Sequence, residues 1–336
     1  MLGSASLQIL ASYYQPLMRA FMFLGTSLVV NGYTYKLKKE KGMIKIAGFF
    51  IFILATVFNA YGKQQIKPSI ATSFQVEKVN LYIECYGQGS PAIIINAGLG
   101  GTVEKDGWRE LIKSLHLKNT LCVYDRANLG KSGKSIGHYD VGTIVEHQNL
   151  LLQKAGVKPP FVMVGHSYGA YPIKLFNHLY PEKVAAILLV DPSLYGQFKS
   201  HINKWDPVND KYNAETRNQM EKELASWNGT PNNIENINNR TSSILIENSS
   251  DFGDKPYVLL WARDAIWQPP KKIPDGWHPA VWERIKKSYV LDLENMQTLS
   301  KNIKITFAKT PEHYIHKFEP EAVINEINYL LNKLEE

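Results

Sequence analysis

Cysteine is scarce in this chain: Cys85 and Cys122 are the only two in 336 residues. Neither belongs to a C-x-x-C pair and no His/Cys cluster accompanies them, so no pattern points to a bound metal. Each lies in a strand-like run, "LYIECYG" and "TLCVYD", where a buried free thiol is the expected state. Pairing them would need a proximity that spacing alone does not supply. Long apolar runs are missing too. Ile46 to Ala60, "IAGFFIFILATVFNA", is uncharged, and Leu17 to Val30 is interrupted by Thr26 and Ser27; neither alone reaches the roughly 20 residues of a comfortable membrane span. The body of the chain also lacks a basic surplus. Residues 1–63 hold Arg19 and six lysines against Glu40, a net +6, and the whole chain carries +7, leaving +1 for everything beyond. A groove that neutralises several phosphates needs its Lys and Arg on the folded surface, so nucleic acid is not an expected partner.

What is present in the first 63 residues is a basic cluster flanking apolar segments, and two arrangements fit it. In one, the two runs form a membrane hairpin with "YKLKKEK" kept on the cytoplasmic side by the positive-inside bias. In the other, Lys45 is the n-region of a secretory leader beginning at Met43, Ile46 to Phe58 its apolar stretch and "AYG" at residues 60–62 a small-residue cleavage site. Either places the remainder of the chain outside the cytoplasm, as a membrane-anchored or exported protein.

From residue 64 a regular alternation sets in. Strand-like runs fall at Phe74–Val79, Leu81–Tyr86, Ala92–Ala97, Thr120–Tyr124, Phe161–Gly165, Val184–Val190, Tyr257–Ala262 and Lys304–Ala308. Helix-like stretches lie at Gly107–His116, Val141–Ala155, Tyr168–Tyr180, Pro279–Ser300 and Glu319–Leu334. Continuous apolar strands such as "AIIINA" and "AAILLV" suit positions covered on both faces. The expectation is an α/β fold with a mostly parallel eight-stranded sheet, helices on both faces, and the first two strands as an antiparallel hairpin at one edge. Residues of about 193–256 break the rhythm with a polar, Asn-rich stretch, patchily helical between Asn213 and Trp227. This segment is expected to be a cap inserted over the strand ends of a single 64–336 domain.

"FVMVGHSYGAYPIKLF" carries the chemistry. Gly165 to Gly169, "GHSYG", is a G-x-S-x-G between an apolar strand and a helical run, the context in which a serine sits on a sharp strand-to-helix turn. Ser167 is therefore the expected nucleophile. The loop "NAGLGG" after the third strand can offer the Leu99 N–H to an oxyanion, beside the N–H of Tyr168. Its glycines, Gly98 among them, let backbone approach a substrate. A histidine base is expected after the last strand, where "FAKTPEHYIHKFEPEAV" supplies His313.

With "NAGLGG", "YDRANLGKSG", "VGHSYGA", "LVDPS" and "EHYIHKFEPEAV" in this order, the chain from about Phe74 to its end resembles the α/β-hydrolase superfamily. The resemblance implies Ser167 as nucleophile, His313 rather than His316 as base, Leu99 and Tyr168 as oxyanion donors, and Asp125 and Arg126 as loop organisers. Two positions compete for the triad acid: Asp191, after the sixth strand, and Asp264, near the end of the seventh. His166 is the variable residue of the elbow, and His166, Gly98, Trp267 and Trp277 are expected beside the substrate. Ser at 167 argues against epoxide hydrolysis or dehalogenation, which in this fold use a carboxylate nucleophile.

The expected activity is hydrolysis of an ester, less readily an amide, of a small to medium apolar molecule through an acyl-enzyme. This chemistry needs no metal or organic cofactor. The competing class is a ligand-binding module that keeps the pocket and has lost catalysis.

Overall fold

The computed structural model describes residues 27–30, 33–36, 67–114, 118–137, 139–197, 212–227, 235–265, 272–273 and 279–336. The chain divides into two units, Met1–Gln65 and Ile66–Glu336. In the first, strands β1 (Ser27–Val30) and β2 (Tyr33–Lys36) pair antiparallel, with Val30 facing Tyr33. The end of the first apolar run is therefore strand, and the rest of both runs lies outside the described residues. Among the described residues no helix is long and apolar enough to cross a membrane.

The second unit is built on one eight-stranded sheet in the order β10-β9-β8-β7-β5-β6-β4-β3. Its strands are β3 (Ile70–Val76), β4 (Val79–Tyr86), β5 (Ala92–Asn96), β6 (Leu121–Tyr124), β7 (Phe161–His166), β8 (Val184–Val190), β9 (Tyr257–Trp261) and β10 (Ile303–Phe307). The six from β10 to β6 run parallel, while β4 is antiparallel to both β6 and β3. The sheet is thus mixed, with the hairpin at one edge. Its turn falls at Glu77-Lys78, where Val76 faces Val79, and not at Asn80, where the strand-like runs of the sequence break. Glu77 takes φ +50 without being Gly, Asn or Asp, so the turn leaves no compositional mark.

Fully buried β5, β7 and most of β8 separate two apolar layers. Alternation sends Ile94 to one and Ile93 and Ile95 to the other, as strand geometry requires. Helices α2 (Val141–Lys154) and α3 (Ala170–Leu179) cover the first face; α1 (Trp108–Ser114), the single turn α7 (Ile315–Phe318) and α8 (Pro320–Lys333) cover the second. Helix α2 starts where the Asp140 side chain accepts the Thr143 N–H. It buries Val141, Ile144, Val145, Gln148, Leu151 and Leu152, a 3.6-residue stripe.

Between β8 and β9 stand α4 (Ala214–Trp227) and α5 (Asn239–Glu247); α6 (Pro279–Thr298) lies between β9 and β10. Helix α5, "NRTSSILIE", was not expected from its Asn, Ser and Thr content. Asn238 caps it through Thr241 N, and the Ser242 and Ser243 hydroxyls donate to carbonyls four residues back. Local polar bonds that usually compete with a helix here complete it.

Cys85 and Cys122 form a disulfide, correcting the free-thiol expectation. The register of β4 against β6 puts them directly opposite, with Cα atoms 4.1 Å apart, well inside the roughly 7 Å beyond which two cysteines cannot be bridged.

Candidate active site

Four loops at the carboxyl ends of the parallel strands converge on one place, where ligands bind in open α/β sheets. They follow β5, β7, β8 and β10.

Ser167 takes φ +51 at the step from β7 to a short 3-10 turn and then α3, a left-handed conformation costly for a residue with a Cβ. Flanking glycines allow it. A Cβ on Gly165 would strike Ile173 Cδ1 and the Gly169 backbone, and one on Gly169 would run into the Asn96 carbonyl of β5. Strand and helix thus approach as the motif demands, and half-buried Ser167 faces a cavity.

Asp191 follows β8 with φ +41. Its Oδ1 accepts the Ala262 N–H at 3.0 Å and its Oδ2 accepts His313 Nδ1–H at 2.6 Å. That second distance is short for N–H···O, as in a charge-assisted bond. Asp264, the other candidate acid, lies in solvent beyond β9 and pairs with its neighbour Arg263 at 3.1 Å. The strand ends explain the difference: Ala262 N pins Asp191 beside the loop after β10, whereas Asp264 sits on an exposed turn.

Ser167, Asp191 and His313 line a cavity of about 450 Å³ with Pro192, Ser193, Leu194, Gln197, Trp261, Ala265, Ile285, Tyr289 and Asp292. Ser167 Oγ stands 3.4 Å from Ser193 Oγ. Ser193 was not singled out from the sequence, although it closes the "LVDPS" motif two residues after Asp191.

The loop after β5 lies against the serine. A Cβ on Gly98 would come within 3.0 Å of His166 Nδ1 and 3.3 Å of Ser167 Cβ, so a side chain here would crowd both and glycine keeps this approach unstrained. Leu99 is exposed and Tyr168 fully buried, its ring stacked on Tyr171.

Two histidines are held away from the cavity. His166, expected beside the substrate, is buried and donates from Nε2 to the His313 carbonyl at 3.0 Å. Strand alternation turns it to the face opposite its neighbours, and burial drives its pKa well below the usual histidine value. His316 lies flat on Trp108 with centroids 3.9 Å apart and donates from Nε2 to the Asp106 carbonyl; burial pushes it down to about 4. Burial likewise raises the Asp106 carboxyl, which accepts from Trp108 Nε1 and from the Gly98 N–H. Asp106, His166 and His316 are the group among the described residues whose donor atoms, all within 4.8 Å of one another, have metal-ligand character.

Among the aromatic residues near the site, Trp261 lines the cavity and Trp282 and Tyr195 are buried. Trp267 and Trp277 lie outside the described residues.

Comparison with known proteins bears on this arrangement. A family model described as alpha/beta hydrolase fold matches residues 91–272. "Putative carbamate hydrolase RutD" of Azorhizobium caulinodans is 31% identical over 112 residues, covering 33% of this chain and 41% of that protein. Bacillus subtilis YqjL, an uncharacterized protein, is 33% identical over 108 residues, covering 32% and 42%. The chain thus spans less than half the length of these curated relatives. Among solved structures, alpha/beta hydrolase domain-containing protein 10 from mouse superposes with a TM-score of 0.54 at 17% identity, over 79% of this chain and all of that one; at that identity the likeness concerns the fold alone.

Proposed function

The chain belongs to the alpha/beta-hydrolase family, and from that premise we propose that it is a serine hydrolase cleaving an ester of a small to medium apolar molecule. The observation that carries the reading is the Asp191–His313 bond of 2.6 Å at the wall of the cavity that Ser167 also lines.

A serine hydroxyl is a weak nucleophile at neutral pH. In this reading His313 takes its proton through Nε2, since Nδ1 is committed to Asp191, and returns a proton to the leaving alcohol. Asp191 fixes the productive tautomer and stabilises the imidazolium. The N–H groups of Leu99 and Tyr168 receive the tetrahedral oxyanion, each worth roughly 3 to 4 kcal/mol in comparable sites. Water then hydrolyses the acyl-enzyme by the same proton route in reverse. Leu194, Trp261, Ala265, Ile285 and Tyr289 supply apolar wall, and the volume lies in the usual range for a small-molecule site. Carbamates present the same carbonyl electrophile, and the name of RutD brings them into the substrate screen. The insertion between β8 and β9 is proposed to act as a cap, of whose described residues Ser193, Leu194 and Gln197 line the cavity.

We further propose that the folded unit works outside the cytoplasm. Support comes from the Cys85–Cys122 disulfide, a bond that persists in oxidising compartments, with the apolar N-terminal runs as leader or anchor. N-terminal sequencing of the mature protein tests this half: an intact cytoplasmic chain with reduced thiols contradicts it. For the activity, turnover of p-nitrophenyl esters of graded acyl length is expected from the full chain and is abolished in Ser167→Ala. Equal turnover by that variant removes the nucleophile.

A further inference from the structure

Glu235 sits in the insertion between β8 and β9, far in sequence from every catalytic motif, yet it is fully buried beneath the loop after β5. Its partner is Arg126, 2% exposed, from the loop after β6. Arg126 Nε donates to Glu235 Oε2 and Nη2 to Glu235 Oε1, both at 2.7 Å. The same guanidinium reaches two backbone carbonyls of the loop: Nη1 donates to Ala97 O at 2.7 Å and Nη2 to Gly98 O at 2.6 Å. Glu235 Oε1 also accepts the Gly100 N–H at 2.6 Å, and the Glu235 carbonyl accepts Asn128 Nδ2 at 2.6 Å. A planar, forked cation and a bidentate carboxylate thus clamp residues 97–100 from below.

The consequence follows from peptide geometry. In a trans peptide the C=O of one residue and the N–H of the next point in opposite directions. The Gly98 carbonyl is drawn toward Arg126 and also accepts the Gly101 N–H at 3.0 Å. Leu99 N–H, on the other edge of the same peptide plane, therefore points away from the guanidinium. Gly98 tolerates many backbone conformations, so nothing intrinsic to this peptide prevents it from flipping. A flip would aim a carbonyl where the oxyanion needs a donor.

We propose that Glu235 is a positioning residue: through Arg126 it fixes the orientation of the 98–99 peptide, so that the Leu99 N–H is a usable oxyanion donor only while Glu235 holds Arg126. This rests on the serine-hydrolase reading. It also gives the insertion a part in the rate.

The test compares full-length wild type, Glu235→Gln, Arg126→Lys and the double variant Arg126→Met/Glu235→Leu. Thermal unfolding, steady-state kinetics on a p-nitrophenyl ester and the rate of fluorophosphonate labelling at Ser167 are measured on each. Glu235→Gln sets an amide N–H against a guanidinium N–H and strands a buried cation, so loss of stability is expected from it. The double variant removes both charges together and recovers stability. Arg126→Lys keeps the charge pair with one donor head that cannot serve both carbonyls. For the latter two, kcat and the labelling rate are expected to fall about 10²-fold, the loss typical of one oxyanion donor, with KM within about threefold. A folded double variant that labels and turns over like wild type makes the clamp a mere brace and overturns the proposal, as does failure of both of these variants to fold. A folded wild type that does not label at Ser167 removes the hydrolase reading itself, which is a different result.

Discussion

Replacing Asp191 by Asn changes one atom pair and tests the proton route directly. The carboxylate uses both oxygens, Oδ1 on the Ala262 N–H at 3.0 Å and Oδ2 on His313 Nδ1–H at 2.6 Å. An amide has one acceptor and one donor end. The Ala262 N–H can be satisfied only by the amide oxygen, which turns the NH2 toward His313. That group donates to Nδ1 and so drives the imidazole proton to Nε2, the nitrogen that must be bare to accept the Ser167 proton. The analogous change in a serine protease lowers kcat by about 10⁴ without disturbing geometry, a barrier increase of roughly 5 kcal/mol. Asp264→Asn removes only an exposed pair with Arg263, worth below about 1 kcal/mol of stability, and leaves kcat unchanged. The assay is steady-state turnover of a p-nitrophenyl ester at pH 7.5, with thermal unfolding to confirm that both variants fold. If Asp191→Asn keeps kcat within about threefold of wild type, or if Asp264→Asn shows the large loss, the assignment of the acid is wrong.

Further consequences follow from burial and cross-linking. Cys85→Ser/Cys122→Ser opens a bridge with sequence separation 37, for which the chain-entropy estimate is about 4 kcal/mol; urea unfolding with and without reductant checks it, and an unchanged midpoint contradicts it. Burial depresses His316 to about 4 from 6.5 and also holds His166 well below the usual histidine value, so the unfolded chain binds more protons than the folded one between 6.5 and 4, and stability falls as pH drops through that window. For His316 the gap corresponds to about 3 kcal/mol, and urea unfolding at pH 7.5 and 4.5 should show a smaller acid loss in His316→Gln than in wild type. Equal losses would mean that His316 is not buried in its neutral form.

The elements legible in the sequence were those whose signal is local. Ser167 could be read because an apolar strand, two glycines and a helical run lie within a few residues of it. Strands β5, β7 and β8 could be read because burial on both faces leaves unbroken apolar runs. What stayed hidden depends on contacts distant in sequence. Asp191 and Asp264 both end strands, and only the fit of β8 against β9, which brings Ala262 N to Asp191, separates them. His313 and His316 are three residues apart, and their different fates depend on Trp108, whose indole covers one of them. The disulfide needed the β4–β6 register. Glu235 gave no signal at all, since its partner Arg126 lies 109 residues earlier and its own surroundings read as a polar excursion. The turn at Glu77 and helix α5 were misread for a local reason, residue types standing where others are usual.

The central claim is an activated serine at the strained turn after β7. The most direct measurement treats the full-length protein with a fluorophosphonate probe and maps the adduct by peptide mass spectrometry, in wild type and in His313→Ala. A single adduct is expected on Ser167, with a labelling rate that falls by at least about 10²-fold in the variant. A folded wild-type protein that takes up no label at Ser167, or one that labels equally fast without His313, would contradict it.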